Sequence, residues 1–370
     1  MPAEFGIVYP LWDYAADEGR FLERLVGEVP IDQVTVPVIS GAWTAFRPVV
    51  GGDFPFFHTD GGWHYRPSSR PYGGGAIRPR KARWFSAGDQ LAQLCTRLAS
   101  LGVRLIARID LRAVRSVIED QPHVAQRTAW GQETPDSGAC ICNPDVREAL
   151  RAVCEDLARY SPAGYELVNW APDHDAGAAA RDFAWDPDLA RLMSTCFCAA
   201  CRQVAGRTEI DVDQVARGVR VSIERRLESP PGTAALEEDA AISAYRAARA
   251  ADCAAWLRRL AEAEPERRRL LLRDLGSPPL ESCAPWTHRV RLGRAPLAPR
   301  WSAALAAARE CGGVSMPAWL PAVDGPDDLV RWVHESVQAG VSLIDFEGVT
   351  EAPATCLTWL RQAVRFARRG

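Results

Sequence analysis

Gly164-Tyr165-Glu166-Leu167-Val168-Asn169-Trp170-Ala171-Pro172-Asp173-His174-Asp175 is mainly apolar and aromatic until Trp170 and turns polar where it ends. An apolar run closed by a turn signal reads as a strand buried on both faces, the kind a parallel sheet uses. Polar groups gathered at the carboxyl end of such a strand are where parallel α/β barrels place their chemistry. Ahead of the run, Asn143-Pro144-Asp145 opens a helix over residues 143–160, with an N-cap, a Pro at the first helical position and an early acid. Behind it, Pro187 starts a second helix, over 187–204, which is expected to carry Cys196, Cys198 and Cys201.

Working outward, apolar runs at 5–12, 31–39 and 103–110 predict three earlier strands, and runs at 270–275, 289–292, 313–319 and 341–347 predict four later ones. Helical spacing of apolar residues marks 17–28, 85–99, 212–227, 236–263, 301–310, 327–338 and 354–368. Strands alternating with helices over 370 residues predict a (β/α)8 TIM barrel of the α/β class. The first strand lacks the Gly-x-Gly-x-x-Gly turn of dinucleotide folds. The expected organisation is a single domain over 1–370, with an aromatic loop insertion over 40–84 after strand two and a helical insertion over 207–264 after strand four. The first insertion has no periodicity, yet carries Trp43, Phe46, Phe54, Phe56, Phe57, Trp63, Tyr65 and Tyr72. That many aromatics argues against disorder, and the segment is expected to cover the carboxyl ends of the strands.

A formal net charge of -3 gives no general attraction to nucleic acid or to anionic membrane. No basic leader precedes an apolar core, and no apolar run reaches the length of a membrane span. Eleven cysteines, an odd number without an export signal, predict a reducing cytoplasm and no disulfide framework. No motif speaks to the oligomeric state.

Two constellations carry chemistry. Asp110 ends strand three, Glu166 lies in strand four with Asp173 and Asp175 after it, and Asp345 and Glu347 end strand eight. A barrel brings these ends to one mouth, and glycoside hydrolysis needs two carboxyl groups there, one protonated and one ionised. Strands four and eight lie across the barrel, which favours the wider, inverting separation. The competing use of such acids is to bind backbone amides or to pair with Arg108 and Arg112. The second constellation is Cys196-x-Cys198-x-x-Cys201, three soft ligands of the kind zinc prefers, with Cys140 and Cys142 as the nearest source of a fourth. The competing reading is small buried hydrophobes. His174 between two aspartates is a candidate metal or acid–base group. No nucleophile elbow, Ser-His-Asp ordering or P-loop is present.

Several segments resemble bacterial glycoside-hydrolase-like TIM-barrel families, known as hypothetical glycosyl hydrolases. They are Cys142-Asn143-Pro144-Asp145-Val146-Arg147-Glu148, residues 164–170 with the later Cys-x-Cys-x-x-Cys stretch, residues 339–348 with Trp359-Leu360-Arg361, and Gly61-Gly62-Trp63-His64-Tyr65 with Pro67. The resemblance implies a TIM barrel that acts on a glycoside or another sugar-containing small molecule. Those families carry an aspartate at the end of strand four, where this chain has Val168 or Asn169. Asn cannot ionise, so Glu166 or Asp173 would take that role, with Glu347 as the second carboxylate and Asp110 in support. Trp12, His64, Asn169 and Trp170 are the candidate substrate contacts. Catalysis of this kind requires no cofactor, and the thiols offer a structural zinc site. The alternatives are a carbohydrate-binding barrel without hydrolysis, favoured by Asn169, and a metal-dependent lyase or isomerase built on His174.

Overall fold

A computed structural model describes residues 3–50, 55–85, 88–133, 138–170, 172, 187–228, 239–263, 269–273, 289–291 and 314–369. The parallel strands are β1 (Glu4–Val8), β2 (Gln33–Ser40), β3 (Arg104–Ile109), β4 (Gly164–Leu167), β5 (Arg269–Arg273), β6 (Arg289–Arg291), β7 (Val314–Trp319) and β8 (Leu343–Glu347). Each pairs in parallel with the next in chain order. β8 then pairs in parallel with β1, so every strand has a parallel partner on both sides. All eight apolar runs are strands, including the three-residue β6. Helices follow them: Arg20–Glu28 after β1, Gln90–Ser100 after β2, Pro144–Leu157 after β3, Pro326–Gln338 after β7 and Thr355–Ala367 after β8. The architecture is a mixed α/β fold on a parallel sheet.

Alternation along the strands separates two environments. Phe5 and Ile7, Val34, Val36 and Val38, and Ile344 and Phe346 join Leu22, Leu25, Leu94, Val153 and Leu360 of the helices in one large apolar core. The intervening positions include Gly6, Gln33, Thr35, Arg108, Glu166, Asp345 and Glu347 beside the apolar Val8, Ile106 and Leu343, so the interior carries more polar groups than the branched apolar layers usual in barrels. Gly6 is required by space: a Cβ there would lie 2.0 Å from Asp345 Oδ1 and 2.9 Å from Gln33 Cγ. Its missing side chain is the room that Asp345 fills.

Four expectations change. The first strand stops at Val8, and Trp12 lies in a separate helix, Leu11–Asp17, which ends at Glu18 and Gly19 in the left-handed region. The helix expected from residue 85 begins at Gln90, because Asp89 accepts a hydrogen bond from the Ala92 amide and caps it. The aromatic insertion is structured: Trp43–Phe46 and Phe56–Thr59 form an antiparallel hairpin, and Gly62–Trp63 pairs with Ile39 and Ser40 at the end of β2. The helix expected over 187–204 is two, Pro187–Met193 and Ala199–Gly206. Only Cys201 of the three thiols is helical. The expected helix at 301–310 lies outside the described residues.

After β4, Ala199–Gly206, Val212–Glu228 and Ala240–Ala263 build a second apolar cluster around the thiols, with Phe197, Val204, Val215, Val219, Ile223, Ile242 and Tyr245. No helix among the described residues is long and apolar enough to cross a membrane.

Candidate functional site

Alternation places Arg108, Glu166 and Glu347 on the same side of β3, β4 and β8, and there they meet. Arg108 Nη2 donates to Glu347 Oε1 at 2.8 Å, and Arg108 Nε lies 3.2 Å from Glu166 Oε1. Glu166 is fully buried, and Arg108 and Glu347 are only 6% and 5% exposed. Two carboxylates at one buried place repel each other, and a shared guanidinium offsets part of that repulsion. The two acids expected to face each other are thus brought together, but on one guanidinium edge and not across an open mouth. Nearby, Gln33 Nε2 lies 3.4 Å from Asp345 Oδ1.

The ends of β3 and β4 are tied by a second network. Asn169 sits in the left-handed region at φ 59°, which Asn tolerates better than most residues, and its Nδ2 donates to both Asp110 oxygens at 2.9 and 3.0 Å. Asp110 also accepts from the Ala113 amide, and Arg112 donates to the carbonyls of Asn169 and Ala139. Asp110 and Asn169 therefore order each other. Trp170 is 3% exposed and packs into the main core. Asp173, with His174 and Asp175, lies outside the described residues.

Trp12, directly after β1, is 2% exposed. It stacks on Phe57 at 4.9 Å and meets the edges of His64 at 5.0 Å and Trp84 at 6.0 Å, so the aromatic insertion closes over the carboxyl ends of β1 and β2. His64 is fully buried with both ring nitrogens engaged. Trp84 Nε1 donates to Nδ1 at 2.9 Å, which leaves the proton on Nε2 facing Ser40 Oγ at 2.8 Å. Burial pushes its pKa down to about 3. Beside it, Asp13 accepts from Arg47 at 2.8 Å and from Thr350 at 2.7 Å, and burial raises its pKa from 3.8 to about 6.

These two shifts act on stability with opposite signs. Between about pH 6.5 and 3 the unfolded chain protonates His64 and the native chain does not, so the stability His64 supplies is lost as pH falls. Between 3.8 and about 6 the native chain holds a proton on Asp13 that the unfolded chain has lost, so Asp13 costs stability as pH rises. The expected result is near-cancellation around pH 4–6. Asp13→Asn should leave the His64 slope exposed, at about 1.4 kcal/mol per pH unit. Urea unfolding at a series of pH values measures it. A variant whose stability is as flat as wild type in that window would contradict the assignment.

The thiols form a compact site. Cys140, Cys196, Cys198 and Cys201 are all buried, with their Sγ atoms within 4.8 Å of one another. Cys140 Sγ and Cys201 Sγ are 3.4 Å apart. A tetrahedral zinc with Zn–S of about 2.3 Å spaces its sulfurs at about 3.8 Å, so the set fits zinc. Backbone amides of Arg127 and Cys198 point at Cys196 Sγ at 3.4 and 3.5 Å, which explains why the chain leaves the helix between Met193 and Ala199. Hydrogen bonds from neighbouring thiols, Cys142 foremost, hold Cys140 well below the ordinary thiol range, and burial pushes Cys201 well above it. Arg249, fully buried in Ala240–Ala263, donates from Nε to Cys201 Sγ at 3.2 Å. Sequence reasoning missed Arg249 altogether and saw Arg108 only as a competitor for the acids. The Arg104-x-Ile106-x-Arg108 alternation was the available signal for the latter.

No protein-family model matches the chain. No curated protein matches its sequence. Solved structures do resemble it. An alpha-L-fucosidase isoenzyme 2 from Paenibacillus thiaminolyticus has a TM-score of 0.59 at 10% identity, covering 100% of this chain and 49% of that one. A beta-galactosidase from the psychrophilic Marinomonas ef1 has a TM-score of 0.58 at 12% identity, covering 98% and 59%. An exo beta-N-acetylglucosaminidase from Vibrio harveyi, an inactive mutant, has a TM-score of 0.51 at 13% identity, covering 98% and 54%. The chain spans less than two thirds of the length of each. At 10–13% identity the likeness is one of fold alone.

Proposed function

We propose that the chain is a single-domain, closed (β/α)8 barrel that acts on a glycoside or related sugar-containing small molecule through paired carboxylates. The observation that carries this reading is the meeting of Glu166 and Glu347 on Arg108 at the carboxyl half of the barrel strands. Glu347, at the end of β8 and 2.8 Å from the guanidinium, is the ionised nucleophile or base. Glu166 or Asp173 supplies the second carboxyl group, and Asp110 with Asn169 orders the β3–β4 rim. Trp12 and His64, packed under the aromatic insertion, and Trp170, in the main core, support the rim from behind. Both acid oxygens lie on the Nε–Nη2 edge of one guanidinium. That placement favours the shorter separation of about 5–5.5 Å used in retention over the roughly 6.5–9.5 Å of inversion, the reverse of the sequence-based expectation.

The thiols fit a structural zinc held by Cys140, Cys196, Cys198 and Cys201, a closed set that leaves no position for substrate. Metal would fasten the helical insertion to the segment before Pro144–Leu157, and the proposed hydrolysis draws on no step at it. The kinship suggested by the Cys-x-Cys-x-x-Cys stretch belongs to this reading. A second reading, a barrel that binds carbohydrate without cleaving it, is favoured by Asn169 at the rim of β4. The lyase or isomerase reading depends on residues outside the described ones.

The test is a panel of nitrophenyl α-fucoside, β-galactoside and β-N-acetylglucosaminide substrates, chosen from the activities named for the similar structures, with binding of the free sugars measured in parallel. Release of nitrophenol from one member is the expected result. Sugar binding with no turnover on any member would select the binding reading, and neither binding nor turnover would remove both.

A further inference from the structure

We propose that Arg249 couples the four-thiol site to the carboxyl end of β4, so that metal bound by the thiols fixes the backbone at Trp170 and Pro172. The inference rests on the zinc reading above. It starts from one buried side chain with two kinds of partner. Arg249 Nε donates to Cys201 Sγ at 3.2 Å, and its Nη2 donates to the Pro172 carbonyl at 3.2 Å. The guanidinium also lies over the Tyr245 ring, 5.2 Å from its centroid, while Tyr245 Oη donates to the Cys196 carbonyl at 2.7 Å. One helical turn further along, Cys253 Sγ donates to the Trp170 carbonyl at 3.2 Å. From the other side, Gln126 Nε2 lies 3.4 Å from the Pro172 carbonyl.

The helix Ala240–Ala263 therefore grips two carbonyls just beyond β4, and one of its two grips is the side chain that touches the thiol set. Four thiolates around Zn²⁺ carry a net charge of -2, and a buried anion of that size needs a cation or several N–H donors beside it. Arg249 meets that need at Cys201, and a hydrogen bond to an ionised sulfur is stronger and shorter than one to a neutral sulfur. Metal thus pins the guanidinium, and the pinned guanidinium holds Pro172. The coupling is reciprocal: whatever fixes Pro172 on Arg249 also strengthens the metal site. Arg249 is a positioning residue, acting through Cys201 on one side and the backbone on the other.

The test uses the full zinc-loaded chain, with Arg249→Met and Arg249→Lys beside it. Two quantities are read: the rate of zinc transfer to a chromophoric chelator, and hydrogen–deuterium exchange in a peptide covering 165–172 before and after zinc removal. In wild type, zinc removal is expected to raise exchange in 165–172. Arg249→Met should release zinc about 10-fold faster or more, the usual effect of losing an outer partner of a metal ligand, and should show the raised exchange even when loaded. Arg249→Lys should fall between. Equal release rates in the loaded variants, or exchange at 165–172 indifferent to zinc, would overturn the coupling while the zinc site stands. A wild-type chain that takes up no zinc would end the zinc reading and the coupling together. Should Arg249→Met not fold, the wild-type exchange experiment alone decides.

Discussion

Cys140→Ser is expected to strip the chain of its zinc and lower its thermal midpoint by roughly 10 °C, whereas Cys142→Ser should keep about one equivalent of metal. The contrast follows from geometry. Cys140 belongs to the set of four mutually close sulfurs, and Cys142, two residues on, does not. Losing one thiolate of four removes a bond and leaves the other three poorly matched to the ion, a cost of several kcal/mol where structural zinc contributes on the order of 10–16 kcal/mol in small peptides. For a domain of a few hundred residues, each kcal/mol moves the midpoint by about 2–4 °C. The loss should be local in origin, because Phe197, stacked on Tyr245 at 5.1 Å, and Val204, Val215 and Ile242 pack around the thiols in a cluster distinct from the main core. Elemental analysis and a melting curve check it. A wild-type chain without metal, and a Cys140→Ser chain melting with it, would leave four small buried apolar side chains.

The parts of this molecule that could be read from its sequence are those decided by neighbours along the chain. Apolar runs closed by turn signals marked all eight strands, and Asn143 with Pro144 marked a helix start whose cap the structure shows at 2.8 Å. What escaped depends on register between strands far apart in sequence. Arg108 and Glu347 are 239 residues apart, and it takes the pairing of β3 with β4 together with the run of pairings from β3 through β2 and β1 to β8 to bring both acids onto that guanidinium. The thiols show a different limit. Their spacing was legible, but helical periodicity was extended through Cys196 and Cys198, where amide-to-sulfur hydrogen bonds turn the backbone instead. His64 shows a third. It stands in a Gly-rich insertion that looks solvated, yet the insertion's own aromatics enclose it, and no local pattern announces that. Asp13, Arg47 and Thr350 meet for the same reason, each from a different connection.

Glu347→Gln should abolish most turnover while leaving the fold intact. On whichever glycoside the wild type cleaves, loss of an acid, base or nucleophile at this position should lower kcat by about 10²–10⁴-fold, the usual worth of positioned acid–base assistance. The melting midpoint should change little, because the amide has the size of the carboxyl group it replaces and its oxygen still accepts from Arg108 Nη2. After the substitution Arg108 faces the Glu166 carboxylate and one amide. Arg108→Gln is the opposite case. It leaves Glu166 and Glu347 buried together without the guanidinium they share, and breaking a buried pair in that way typically costs about 3–5 kcal/mol. The two variants separate catalysis from architecture: one should lose rate and keep stability, the other should lose both. If Glu347→Gln turns over like wild type, Glu347 has no part in the chemistry. If it instead melts well below wild type, the carboxylate is a strut for Arg108, and the Glu166–Arg108–Glu347 cluster holds the barrel interior together in the way buried ion pairs do in proteins that only bind.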